Sequence, residues 1–174
     1  MKKIVSFTAL FAALLISCTS QAQEDKSKRP SPPAVITQVT GSGAEVSINY
    51  SQPAVKGRTI GKDLEPKDGA VWRTGANEAT VFETSKALKI DGKELPAGKY
   101  SLFTISGKDS WTVIFNKTWN QWGAYDYKQA DDVLRITATS QKAETFAEKM
   151  TFAIDKTGLV TLLWGDIKVT FTVE

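Results

Sequence analysis

The chain has 174 residues, with 22 lysines and arginines against 19 aspartates and glutamates, one cysteine and no histidine. Without histidine, Ser-His-Asp and Cys-His catalysis, histidine zinc sites and histidine-ligated haem are all excluded. The formal net charge is +3, but Lys2 and Lys3 belong to a leader, and removing them leaves 20 basic residues against 19 acidic ones, so nucleic acid has no electrostatic case as a partner.

In chain order, Met1, Lys2 and Lys3 form a charged start, followed by an apolar run from Ile4 to Ile16. That run is too short to span a bilayer as a stable helix and reads as an export signal. It ends in "LISC", Leu15 to Cys18, which resembles the lipobox of bacterial lipoproteins. Signal peptide 1–17 would then be removed and Cys18 acylated as the new N-terminus. A second cleavage site is visible at Ser20 and Ala22, small residues in the places that ordinary signal peptidase prefers, and would give a soluble secreted or periplasmic protein. The lipoprotein reading is preferred, because the only cysteine stands at the lipobox position. No cysteine is left for a disulfide, a thiolate nucleophile or a metal site in the folded part. Residues 18–33, rich in Ser, Gln, charge and proline, read as a tether, flexible and then stiffened by Pro30, Pro32 and Pro33. Residues 34–174 are of single-domain size.

Within that domain, apolar residues alternate with period two. In "IKVTFTV", Ile167, Val169, Phe171 and Val173 share one face and Lys168, Thr170 and Thr172 the other, which predicts a half-buried antiparallel strand. "AEVSINY", "SWTVIFN" and "KMTFAID" repeat the pattern, and "YSLFTIS" and "VLRITAT" fit it more loosely. Turn chemistry falls between the runs: Asp91-Gly92, "LPAGKY", "SGKD", "DKTG" and Gly165-Asp166, the last expected to be a two-residue loop. Helical turns are expected only around Tyr127 to Asp131 and Lys142 to Ala147. The sum is an all-β protein of eight to ten short strands joined by hairpin turns, a single antiparallel β-sandwich with a β-barrel as the alternative.

Two stretches carry polar groups that a strand has no use for. The first is "VWRTGANEAT", Val71 to Thr80, with the preceding Arg58. Arg73 offers a bidentate fork to a carboxylate or phosphate, and Asn77 and Glu78 are suited to fixing hydroxyls. The structural alternative, preferred because ion-paired turns are common, pairs Arg73 with Glu78 and has Asn77 satisfy backbone groups across the turn that Gly75 permits. The second is "NKTWNQWGAYDYK", Asn116 to Lys128, where Trp119, Trp122, Tyr125 and Tyr127 stand among Asn120, Gln121 and Asp126. Flat rings beside amides suit a sugar, which presents apolar C–H faces and hydroxyls. Here too the structural alternative is preferred: the tryptophans cap one open end of the sandwich as core. The sequon-like "NKT" carries little weight behind a bacterial-looking signal. A calcium loop from Asp126, Asp131 and Asp132 is a weak third candidate, because the spacing matches no EF-hand and the glycine is missing.

Together, "YSQPAVKGR", "VWRTGANEAT", "AGKYSLFTI", "WTVIFNK" and "QWGAYDYK" resemble, in order, the domain-of-unknown-function 2911 family, small exported proteins found mainly in Bacteroidetes. The resemblance runs from about Tyr50 to Glu174 and implies an all-β exported domain in a bacterial cell envelope. It implies no activity and assigns no catalytic residue.

The leading expectation is a non-enzymatic binding or scaffold domain, lipid-anchored at Cys18. Its candidate ligand residues are Arg58, Arg73, Asn77, Glu78, Trp119, Gln121, Trp122 and Tyr125. A glycan, a peptidoglycan fragment or an envelope protein is the expected partner, with no metal, no cofactor and no membrane contact beyond the lipid. One rival is a hydrolase in which Glu78 and a second carboxylate, Asp126 or Asp63, serve as acid and base across roughly 5 to 10 Å. Another is a purely structural envelope protein that displays a sheet edge.

Overall fold

The structure, a computed structural model, describes residues 25–174. The expected signal peptide, Cys18 and the first part of the tether lie outside the described residues.

Ten antiparallel strands form the fold: β1 (Pro33–Val39), β2 (Glu45–Ser51), β3 (Val71–Trp72), β4 (Thr80–Thr84), β5 (Leu88–Ile90), β6 (Lys93–Leu95), β7 (Gly98–Ile105), β8 (Ser110–Asn116), β9 (Asp132–Ile154) and β10 (Leu159–Thr172). The main sheet runs β1-β2-β4-β7-β8-β9-β10, with β3 paired to β7, and β5 and β6 make a separate hairpin. This curled half-barrel with its small second sheet is the antiparallel, hairpin-linked all-β fold expected from the sequence, in its sandwich-or-barrel form. Two backbone bonds tie the chain after β2 to β9, from the Met150 N–H to the Pro53 carbonyl at 3.0 Å and from the Val55 N–H to the Glu148 carbonyl at 2.9 Å. A reciprocal pair between Lys89 and Glu174, each 2.8 Å, ties β5 to the end of the chain.

Alternation builds the core. Val46, Ile48 and Tyr50 of β2, Trp111, Val113 and Phe115 of β8, Met150, Phe152 and Ile154 of β9, and Val169 and Phe171 of β10 are all buried in one cluster. Edge-to-face ring pairs knit it together, with Phe115 against Phe82 at 5.0 Å and against Phe171 at 6.1 Å. β7 and β8 also bury residues of the opposite face: Phe103 and Ile114 join Ala79 in a second cluster on the outside of the sheet, packed by Ala124 and Tyr127. "YSLFTIS" fits period two only loosely because both of its faces are covered.

Two local expectations are corrected. Residues 142–147 are not a helical turn but the middle of β9, where Lys142 pairs with Ile167 and Ala147 with Gly165. Gly165-Asp166 is not a loop but lies within β10, opposite a bulge of β9 that shifts the register on both sides of Gly165. Gly165 has φ +58°, and a Cβ there would stand 2.5 Å from Ile60 Cδ1. The surplus residues lie on β9, and the left-handed Gly165 lets β10 bend to follow them while leaving room for Ile60. The expected turn near 127–131 is a short 3-10 turn at Gln129–Asp131.

Candidate functional site

The Trp72 to Thr80 turn is stitched by its own hydroxyls. Thr74, fully buried, meets the Thr104 hydroxyl at 3.0 Å, and the Thr80 hydroxyl donates to the Thr74 carbonyl at 2.8 Å. Thr74 and Asn77 take left-handed φ of +52° and +59°. These reversals send the polar side chains to different walls, so the expected Arg73–Glu78 pair does not form. Glu78 instead accepts from Lys26 Nζ at 2.7 Å and from Arg29 Nη1 at 2.9 and 3.0 Å. Asn77 Nδ2 donates not across its own turn but to the Ser31 carbonyl at 3.0 Å. Residues 25–32, in the segment expected to be a tether, thus clasp the turn, and Lys26–Lys28 form a 3-10 turn capped by Asp25. Partial burial pushes the Glu78 carboxyl up, but hydrogen bonds from Lys26, from the backbone and from Arg29 outweigh it and hold its pKa at about 2.

The Lys117–Lys128 loop is anchored at its base by Asn116, which has no solvent exposure. Its Nδ2 donates to the Lys128 carbonyl at 3.0 Å and to Asp132 Oδ1 at 2.8 Å, and its Oδ1 accepts the Thr118 N–H at 3.0 Å. Tyr127 packs on Phe103 at 5.1 Å and donates to Asp132 Oδ2 at 2.7 Å. Of the loop's aromatics, Tyr127 is the one sunk into the protein. Trp119, Trp122 and Tyr125 are 43, 52 and 83 % exposed, so they are not a core cap. The buried Asn116 is no glycosylation acceptor either.

Loop and turn are neighbours. The Ala79 N–H donates to the Gln121 carbonyl at 3.0 Å and the Gly123 N–H to the Asn77 carbonyl at 3.1 Å. The two sequence candidates are therefore one surface, with Arg29 stacked 5.8 Å from the Trp122 ring and Lys99 5.4 Å from Trp119.

That surface holds two concavities. A groove of about 200 Å³ is lined by Glu78, Trp119, Asn120 and Gln121 on one side and by Asn49 and Tyr50 of β2 on the other, with Lys26 across it. A cleft of about 270 Å³ lies between Arg58, Asp63, Glu65 and Arg73, walled by Trp72 and Trp164. Among the described residues, two buried side-chain polar atoms have no hydrogen-bond partner, and each belongs to one of these hollows: Gln121 Oε1 to the groove and Arg73 Nε to the cleft. A buried polar atom without a partner is rare in a native fold, and a functional role is one of the reasons for keeping it. Gly123 lies between the Tyr125 ring and Arg73. A Cβ there would meet the Tyr125 ring at 3.0 Å and Arg73 Nη1 at 3.5 Å.

The structure therefore places Glu78, Trp119 and Gln121 in the groove, Arg58 and Arg73 in the cleft, and Asn77, Trp122 and Tyr125 on the ridge around them. Asp63 lines the cleft rather than the groove, and Asp126 lines neither. The proposed calcium carboxylates serve other partners. Asp131 pairs with Lys117 at 3.1 Å and Asp132 with Arg135 at 2.7 Å, and among the described residues no cluster is arranged to hold a metal ion. Sequence reasoning missed Lys26, Arg29 and Asn49. The first two sit in a segment whose composition reads as a tether, and the basic "KSKR" run was the one available signal.

No curated protein and no solved structure matches this chain. Residues 31–173, most of its length, match the family described as "Protein of unknown function (DUF2911)", and the chain belongs to that family.

Proposed function

We propose that this is an exported binding domain, lipid-anchored at Cys18 in a cell envelope, whose groove takes a polar ring ligand such as a glycan or a peptidoglycan fragment. The observation that carries the reading is Trp119, 43 % exposed on the wall of a hollow whose polar groups include three amides, an ionised carboxylate and the Lys26 ammonium. A sugar ring stacks its C–H face on such an indole and directs its hydroxyls at the amides. Asn49 and Asn120 line the same hollow and offer amide donors and acceptors to those hydroxyls. Glu78, held at about 2, is ionised at any physiological pH and serves as a further acceptor.

The hydrolase alternative has less support. Glu78 is the one carboxylate among the groove's lining residues, and a group titrating near 2 makes a poor general acid at neutral pH. The test is tryptophan fluorescence of the mature chain titrated with a glycan panel and soluble peptidoglycan fragments. A saturable change that disappears in Trp119→Ala supports the groove; a flat response across the whole panel at millimolar concentration removes it. The "LISC" motif supports the anchor, and failure of labelled palmitate to enter the protein in its native host would end that part of the proposal.

A further inference from the structure

The second cleft combines charges in an unusual way. The Arg73 side chain makes no hydrogen bond or ion pair with any described residue, although its Nε is buried. Asp63 and Glu65 line the same hollow. Each spends one oxygen on a backbone amide, Asp63 on the Thr59 N–H at 2.9 Å and Glu65 on the Lys67 N–H at 2.8 Å. Neither forms a salt bridge with Arg73 or with any other described cation. Opposite charges thus face one hollow without touching each other.

Most of the other polar groups of the cleft are already committed. Arg58 gives Nε to the Val55 carbonyl at 3.1 Å and Nη2 to the Ala54 carbonyl at 2.7 Å, which fixes it as a wall. The indole N–H of Trp72 donates to the Gly75 carbonyl at 3.1 Å, and that of Trp164 to the Glu65 carbonyl at 2.9 Å. Both rings therefore offer only apolar surface. What is left to recognise a ligand is the Arg73 guanidinium, the Nη1 edge of Arg58, the Ser31 hydroxyl, two carboxylates and an apolar wall.

From this we infer that the cleft binds a small zwitterion, an α-amino acid or a dipeptide, with its carboxylate on Arg73 and its ammonium toward Asp63 and Glu65. A plain anion would be repelled by the two carboxylates and a plain cation by the two arginines, whereas a molecule carrying both charges is matched at both ends. The volume of about 270 Å³ lies just under the range of drug-sized pockets and limits the ligand to that size. The site is separate from the groove proposed above and does not depend on it.

The experiment is isothermal titration of the mature chain with glycine, alanine, lysine and alanyl-alanine. Alaninamide, N-acetylalanine and inorganic phosphate serve as probes that lack one charge. At least one zwitterion is expected to bind, with affinity falling about tenfold or more when either charge is removed or when Arg73→Gln is introduced. Asp63→Asn, at an exposed rim position, provides the second variant should Arg73→Gln fail to fold, and is expected to weaken the zwitterion while sparing N-acetylalanine. Three results would each overturn the inference: no zwitterion bound at about 10 mM, binding unchanged in both variants, or phosphate or N-acetylalanine bound as tightly as the zwitterion. Trp119→Ala leaves this binding intact, so failure of the groove and failure of the cleft are told apart.

Discussion

Protonating Glu78 dissolves a three-residue cluster. Its folded pKa of about 2 lies below the ordinary carboxylate value of 4.5. The cluster's contribution to stability is therefore fully present above about pH 4.5 and is lost as pH falls through about 2. The side chain is 37 % exposed, and solvent screening reduces the effect to about 1 kcal/mol. Urea melts of wild type and Glu78→Gln should differ by about that amount at pH 7 and converge near pH 2. A double-mutant cycle separates the two arginines near this turn. Arg29→Ala and Glu78→Ala should couple by about 1 kcal/mol, because they touch. Arg73→Ala and Glu78→Ala should be additive within about 0.5 kcal/mol in thermal unfolding, because they do not touch. Strong coupling between Arg73 and Glu78 would contradict the geometry described here. None of this was visible in the sequence. Arg73 and Glu78 are five residues apart and look like partners, and only the left-handed φ of Thr74 and Asn77 turns them away from each other.

At the level of elements, the β9–β10 ribbon and the aromatic loop depend on one residue each. Gly165→Ala forces a Cβ into the left-handed region while Ile60, a flexible side chain, moves aside. Thermal melts should show a loss of about 1–2 kcal/mol. Asn116→Ala strips three hydrogen bonds from the loop base and leaves Asp132 and the Lys128 carbonyl short of a donor. It should cost about 2–3 kcal/mol, with hydrogen exchange rising across residues 117–128. The strands themselves were legible, because Val46-Ile48-Tyr50 and Trp111-Val113-Phe115 alternate without interruption. Gly165 reads as a loop because Gly-Asp is sound turn chemistry, and no local signal says that β10 runs on through it opposite a bulge of β9. Residues 142–147 gave no clear period because five of the six are at least partly exposed, with Ala143 alone buried, leaving little apolar pattern to read.

Across the whole molecule, one cluster binds the strands of the curled sheet, and Phe115 stands near its middle, against Phe82, Tyr100 and Phe171. Phe115→Ala should cost about 3–5 kcal/mol, which in a domain of this size lowers the melting temperature by roughly 10 °C. The fold class was readable because burial imposes its period on every strand of that cluster. The hollows were not, because they are assembled from segments far apart in the chain, Lys26 with Asn49 and Trp119, or Asp63 with Trp164. The clasp at Lys26 and Arg29 carries one more consequence. With the proposed anchor at Cys18, seven chain steps of about 3.5 Å separate the lipid from Asp25, so the clasped domain rides within about 25 Å of the bilayer, less than its own width. Releasing the clasp back to Pro33 lengthens that leash to fifteen steps, about 50 Å. On that proposed anchor, Glu78 and Asn77 set how high above the bilayer the domain reaches, and only a ligand that frees Lys26, Arg29 and Ser31 together would let out the whole leash.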